Sequence, residues 1–132
     1  MYIPEGYGTI FPYMIIDGAN DFVDFLKSVF DAKEVGRTEF PNGRVANIEV
    51  QIGTSRFMLS EPDGETTKPM PASYYIYVED VDQTLKKAVA HGATRLFDAM
   101  DMTYEDRQAG IIDPVGNSWW ISKRLVEAPY YS

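Results

Sequence analysis

The chain has 132 residues, one His, no Cys and a net charge of −8, with hydrophobic residues at 45%. That length suffices for one domain with a substantial core, and the lack of cysteine excludes disulfides, thiolate zinc sites and thiol nucleophiles. An acidic chain with no run of Lys or Arg points away from nucleic acid, and no apolar stretch approaches the roughly 18 residues of a membrane span.

The N-terminal "MYIPEGYGTI" has neither the basic segment nor the apolar run of a signal peptide, so a cytoplasmic protein is expected. "TIFPYMII" (9–16) is apolar and rich in strand formers, which predicts a strand. In "DGANDFVDFLKSVFDA" the residues Phe22, Val23, Phe25, Leu26, Val29 and Phe30 fall at helical spacing, with Asp17 or Asn20 as the expected N-cap. "KEVGRTEF" and "RVANIEVQIG" read as strands joined through "PNG", a hairpin signal, and "SRFMLSE" as a third strand after the Gly53-Thr54 turn.

"PDGETTKPMPA" (62–72) has linker composition, and after it the pattern restarts. "SYYIYVED" reads as a strand and "DVDQTLKKAVAHGA" as a helix carrying Val81, Leu85, Ala88 and Val89 on one face. "TRLFDAM", "DRQAGIID" and "NSWWISKRL" read as three more strands. The strand-to-helix junction at 16–17 recurs at 78–79, about 62 residues on, so the chain reads as two copies of one βαβββ unit. The expected fold is α+β: module one at about 7–61, a linker at 62–72, and module two at 73–125. Helices cover the outer faces, and the two mixed sheets curve into a concave cup.

The repeat, together with "VEDVDQTLKKAVAHGA" and an ending that runs through Asp106, Arg107, Gly110, Asp113, Pro114, Gly116 and Trp119, resembles the vicinal oxygen chelate superfamily. That group holds glyoxalase I, bleomycin-resistance proteins and extradiol dioxygenases; the ending is similar to its PhnB-like branch. In members with a metal, the resemblance puts ligands at four positions, which here are Phe11, Asn47, Ser73 and Trp120. None of these is His, Cys or a carboxylate, so no metal and no cofactor are expected. The resemblance also implies a homodimer, with the linker as a hinge for exchanging halves.

The residues alone agree on the metal, because a catalytic zinc or iron site needs more imidazole or thiolate than one His provides. His91, just before Gly92 at a helix end, reads as a capping residue. Asp98, Asp101, Glu105 and Asp106 could offer oxygen ligands but read as a charged rim.

Strand alternation defines the face turned away from the helices. It groups Phe11, Tyr13 and Ile15; Ser73, Tyr75 and Tyr77; and Ser118, Trp120 and Ser122. On "RVANIEVQIG" it sets Val45, Asn47, Glu49 and Gln51 against Ala46, Ile48, Val50 and Ile52. The expected ligand-binding residues are Phe11, Tyr13, Asn47, Met58, Ser73, Tyr75, Tyr77, Arg107 and Trp120, around a partly apolar or aromatic small molecule. The catalytic alternative is a lyase or isomerase with Glu49 as base and tyrosines as donors, or with an oxygen-ligated metal. Glu49 could instead pair with Arg56 or Arg107, and Arg107 with Asp113 or Asp106. A third reading is a dimeric interaction module, since 9 Tyr, 7 Phe and 2 Trp exceed what a small core needs. The adjacent Trp119 and Trp120 must face opposite sides of their strand, Trp119 toward the helix and Trp120 away from it. The aromatic tail "VEAPYYS" is expected to be frayed or laid on a neighbouring surface.

Overall fold

The computed structural model describes residues 2–131. The chain divides into two compact units between Met70 and Pro71. The first contains β1 (Tyr13–Ile15), α1 (Ala19–Phe30), β2 (Lys33–Glu39), β3 (Val45–Ile52) and β4 (Ser55–Ser60). The second contains β5 (Ser73–Tyr77), α2 (Val81–Ala90), β6 (Thr94–Asp101), β7 (Asp106–Ile112) and β8 (Ser118–Arg124). Both expected βαβββ modules are therefore present. Each forms a four-stranded mixed sheet, ordered β1-β4-β3-β2 and β5-β8-β7-β6. The strand before each helix lies parallel to the module's last strand, and the other pairings are antiparallel. No helix among the described residues is long and apolar enough to cross a membrane.

Helical spacing buries one side of each helix, as read from the sequence. In α1 it buries Phe22, Val23, Phe25, Leu26, Val29 and Phe30, and in α2 Val81, Leu85 and Ala88. Val89, grouped with that face, stays exposed. The sheet sides that match are Ile48, Val50, Phe57 and Leu59 in module one, and Ala109, Ile111, Trp119 and Ile121 in module two, all buried. α2 packs on β6, β7 and β8.

Local chemistry departs from the expectations at several points. Neither Asp17 nor Asn20 caps α1; Gly18 takes the N-cap in a left-handed conformation (φ +76°) with no side-chain bond. Asn20 instead accepts from Arg37 at 2.6 Å. α2 is capped by Asp80, whose carboxylate accepts the Gln83 N–H at 3.0 Å. The first strand is shorter than its apolar run because Pro12 has no N–H to give the ladder. Phe11 consequently lies before β1, its ring 4.4 Å from that of Tyr7, rather than on the strand with Tyr13. Between β2 and β3 the register slips at Thr38/Glu39, so Ala46 is an extra residue. That bulge breaks alternation, and Val45, expected on the polar face, is buried. The β2–β3 loop is Pro41-Asn42-Gly43, with Gly43 left-handed (φ +85°) and closed by the bond from Phe40 N–H to Arg44 O at 2.8 Å.

Candidate functional site

Each sheet has a helix-covered face and an open one. The turn "DPVGN" (113–117) builds the entry to β8 on the covered side. Asp113 accepts from the backbone N–H of Val115 and Asn117, from the Asn117 amide and, at 2.7 Å, from the Trp119 indole. Asn117 accepts in turn from Ala72 N–H at 2.9 Å. Trp119 is thus buried and hydrogen-bonded among the helix-side residues, while Trp120, half-buried, faces the open side next to Tyr75.

The open face of module one carries a row formed by register: Tyr13 beside Met58, Met58 beside Glu49, Glu49 beside Gly36. A Cβ on Gly36 would stand 2.8 Å from a Glu49 carboxylate oxygen, so the glycine makes room for that side chain. The Tyr13 hydroxyl shares a 2.8 Å hydrogen bond with Ser60 Oγ, which also donates to Ala46 O. Asn47 and Met58 are half-buried and Tyr13 exposed. Over this face runs the N-terminal segment, where the Tyr7 hydroxyl donates to Glu49. Arg56 lies 5.8 Å from the centre of the Tyr7 ring and is held by Gln51 at 2.8 Å. Burial, and then the Glu49 bond and charge, push the Tyr7 phenol up to about 12, against the opposing charge of Arg56. The partner of Glu49 is therefore a phenol, not the expected Arg56 or Arg107.

The open face of module two has the corresponding row: Tyr75 beside Trp120, Trp120 beside Gly110, Gly110 beside Phe97. A Cβ on Gly110 would meet the Phe97 ring at 2.2 Å, so the glycine makes room for that ring. Further along the same face is a polar cluster with no counterpart in the sequence reading. Asp106, with no solvent exposure, accepts hydroxyl bonds from Tyr75 and from Tyr130 on one oxygen, and an Arg124 N–H at 3.1 Å on the other. Tyr77 and Tyr130 share a hydroxyl bond at 2.5 Å. Beside them Tyr104 donates to Gln108, whose amide donates to Ser122 at 2.8 Å. Burial alone raises the Asp106 carboxyl, but the hydrogen bonds from Tyr130, Tyr75 and Arg124 outweigh it and hold the group below its ordinary value. Burial and the bond to Asp106 raise Tyr75.

The tail is laid on this face. Arg124 donates to the carbonyls of Ala128 (2.9 Å) and Pro129 (3.2 Å), and its guanidinium sits 4.1 Å from the centre of the Tyr130 ring. Alternation on "DRQAGIID" would have placed Asp106, Gln108 and Gly110 together on the open face, and that was the available signal. The part played by Tyr7 and Tyr130 follows from tertiary packing of the two terminal segments and had no local signature.

Arg107 goes elsewhere. It points to the helix side and is taken up by Asp82 (2.8 and 2.9 Å) and Asp101 (2.9 Å), not by Asp113 or Asp106. Asp98 is paired with Arg95 at 2.8 Å. Asp106, expected on a charged rim, is instead interior. His91 ends α2, its Nδ1 bonded at 2.8 Å to Lys87 O. Ser73 is exposed at the start of β5.

At the four positions where the resemblance expects metal ligands, the side chains are phenyl, carboxamide, hydroxyl and indole. Among the described residues, no group of three or more His, Cys, Asp or Glu is placed to hold a metal ion. This donor set does not fit a catalytic divalent metal.

Comparison with known proteins gives a family match over residues 13–121 to the "Glyoxalase/Bleomycin resistance protein/Dioxygenase superfamily". Uncharacterized protein Mb0911c of Mycobacterium bovis is 28% identical over 126 residues, covering 88% of this chain and 83% of the relative. TioX from Micromonospora sp. ML1 shares the fold with a TM-score of 0.73 at 20% identity, covering 86% of this chain and 96% of that one. The fosfomycin resistance protein FosX from Listeria monocytogenes does so at 0.68 and 17% identity, covering 91% and 95%.

Proposed function

Within the glyoxalase/bleomycin resistance protein/dioxygenase superfamily, to which this chain belongs, we propose that it is a metal-free small-molecule binding protein of the PhnB-like branch. It holds a partly apolar or aromatic ligand on the open face of a sheet. The observation that carries this reading is the contrast between the two sides of each sheet. The helix sides are filled by buried apolar residues, aliphatic and aromatic. The open sides carry Tyr13, Met58, Tyr75, Tyr77 and Trp120 beside polar anchors such as Asn47 and Ser73, the mixture that small-molecule sites use. Tyr13, Tyr75 and Tyr77 are exposed in the single chain, which supports further coverage by a second copy in a cytoplasmic homodimer. Light scattering at working concentration tests that, and a monomer mass contradicts it.

The binding reading is tested by thermal-shift screening against metals and small aromatic metabolites. A ligand at a hundredfold excess over its Kd stabilises the fold by about 2.7 kcal/mol, and such a response to an organic compound is expected. Stoichiometric zinc, iron, nickel or manganese in protein purified without added metal contradicts the metal-free part.

A second reading rests on the Tyr7–Glu49 contact, in which a carboxylate and a phenol are in hydrogen-bond contact. Such a pair can pass a proton, as a lyase or isomerase base requires. Under that reading Glu49→Gln abolishes turnover of an identified substrate; full activity in the variant removes it.

A further inference from the structure

We propose that Asp106, Arg124, Tyr75 and Tyr77 form a socket for a neutral hydroxyaromatic ring, and that Tyr130 of the C-terminal segment is its built-in occupant, displaced when a phenolic ligand binds. This rests on the reading of the open face as a binding surface, and it names the ligand class.

The chemistry of the socket selects its occupant. The Asp106 carboxylate has no solvent access and offers only acceptor sites, so whatever sits there must donate. The Tyr77 hydroxyl, 2.5 Å from that of Tyr130, makes the occupant's oxygen a partner in a second bond. A phenol can donate one bond and accept another through the same atom. The guanidinium of Arg124, 4.1 Å from the centre of the Tyr130 ring, favours an aromatic face over a saturated one. Charge narrows the class further. Asp106 and Arg124 already neutralise each other, so a carboxylate ligand meets repulsion from Asp106 and an ammonium meets it from Arg124. A neutral phenol meets neither.

The occupant is held less firmly than the walls. Asp106, Arg124, Tyr75 and Tyr77 all lie on strands of one sheet. Past β8, among the described residues, one backbone–backbone bond ties the segment to the rest of the module, from Leu125 N–H to Glu105 O at 2.9 Å. Beyond it the segment is exposed and fastened through the Arg124 side chain and the Tyr130 ring. Such a segment can lift without disturbing the sheet.

The test uses full-length protein and three measurements of affinity. Tyr130→Ala, at a residue already 42% exposed, empties the socket while leaving the strands intact, which circular dichroism checks. p-Cresol is expected to bind this variant at least about tenfold more tightly than the wild-type chain, since its competitor is gone. p-Methylanisole, of similar shape but without the hydroxyl hydrogen, is expected to bind the variant at least about tenfold more weakly than p-cresol, the worth of one good hydrogen bond. Equal binding of the two compounds overturns the phenol socket while leaving the open face a binding surface. Failure of Tyr130→Ala to gain affinity for p-cresol also overturns it, and the wider reading then stands or falls by the ligand screen alone.

Discussion

The two open faces use the same row differently. Tyr13 and Met58 in module one stand one repeat before Tyr75 and Trp120 in module two, and each row contains a glycine. In module one the glycine is on the outer strand and Glu49 reaches over it. In module two the glycine is on the inner strand and the Phe97 ring reaches back over it. A polar row and an apolar row thus stand on one backbone plan. Each face also has a carboxylate, a terminal tyrosine donating to it and an arginine near that ring: Glu49, Tyr7 and Arg56, against Asp106, Tyr130 and Arg124. The difference is burial. Glu49 is half-buried and its bond comes from one phenol; Asp106 is fully enclosed, with two phenols and a guanidinium. The backbone repeat fixes where side chains stand, and burial decides which of them the fold depends on.

The largest expected effect comes from removing the two acids. Asp106→Ala leaves Arg124 uncompensated and removes the carboxylate that accepts from Tyr75 and Tyr130, and costs about 3 kcal/mol. Glu49→Ala costs less than about 1 kcal/mol, because water can replace a half-buried partner. Urea denaturation of both variants reads the ratio, and equal losses would erase the distinction between the faces. The glycines come next. Gly110→Ala pushes against ring carbons and is expected to cost about 1–3 kcal/mol. Gly36→Ala meets only the end of the flexible Glu49 side chain and is expected to cost less. The reverse order would mean that the Phe97 ring is free to move.

Acid gives a smaller, graded comparison. The folded Asp106 carboxyl is held below its ordinary value, so its stabilising contribution is present above the unfolded carboxyl pKa of about 3.9 and is lost as pH falls through the folded value. The difference in unfolding free energy between wild type and Asp106→Asn is therefore expected to shrink as pH drops below about 4. A difference that stays constant to lower pH contradicts the charged state assigned to Asp106.

Much of the fold could be read in the chain because hydrophobic period and turn chemistry are local. The spacing of Phe22 to Phe30, Gly43 in its loop and the recurrence of the strand–helix junction all report nearest neighbours in sequence. Placing Trp119 and Trp120 on opposite faces needed only alternation. The apolar run that groups Phe11 with the first strand hides the missing N–H of Pro12, and alternation sets Val45 on the polar face because a bulge is invisible to a period of two. Arg107 had several acids within reach, and tertiary geometry chose Asp82 and Asp101. The Asp106 cluster was the hardest part to read, because it joins β5, β7, β8 and a terminal segment that no local pattern ties together.

The tryptophan pair gives the most direct test. In the Tyr130→Ala background, Trp119→Phe leaves the open-face indole as the only one, and Trp120→Phe leaves the helix-side indole as the only one. On titration with p-cresol, the emission of the chain keeping Trp120 is expected to change saturably while that of the chain keeping Trp119 stays flat. A response confined to Trp119, or the same response in both, would contradict a ligand site on the open face.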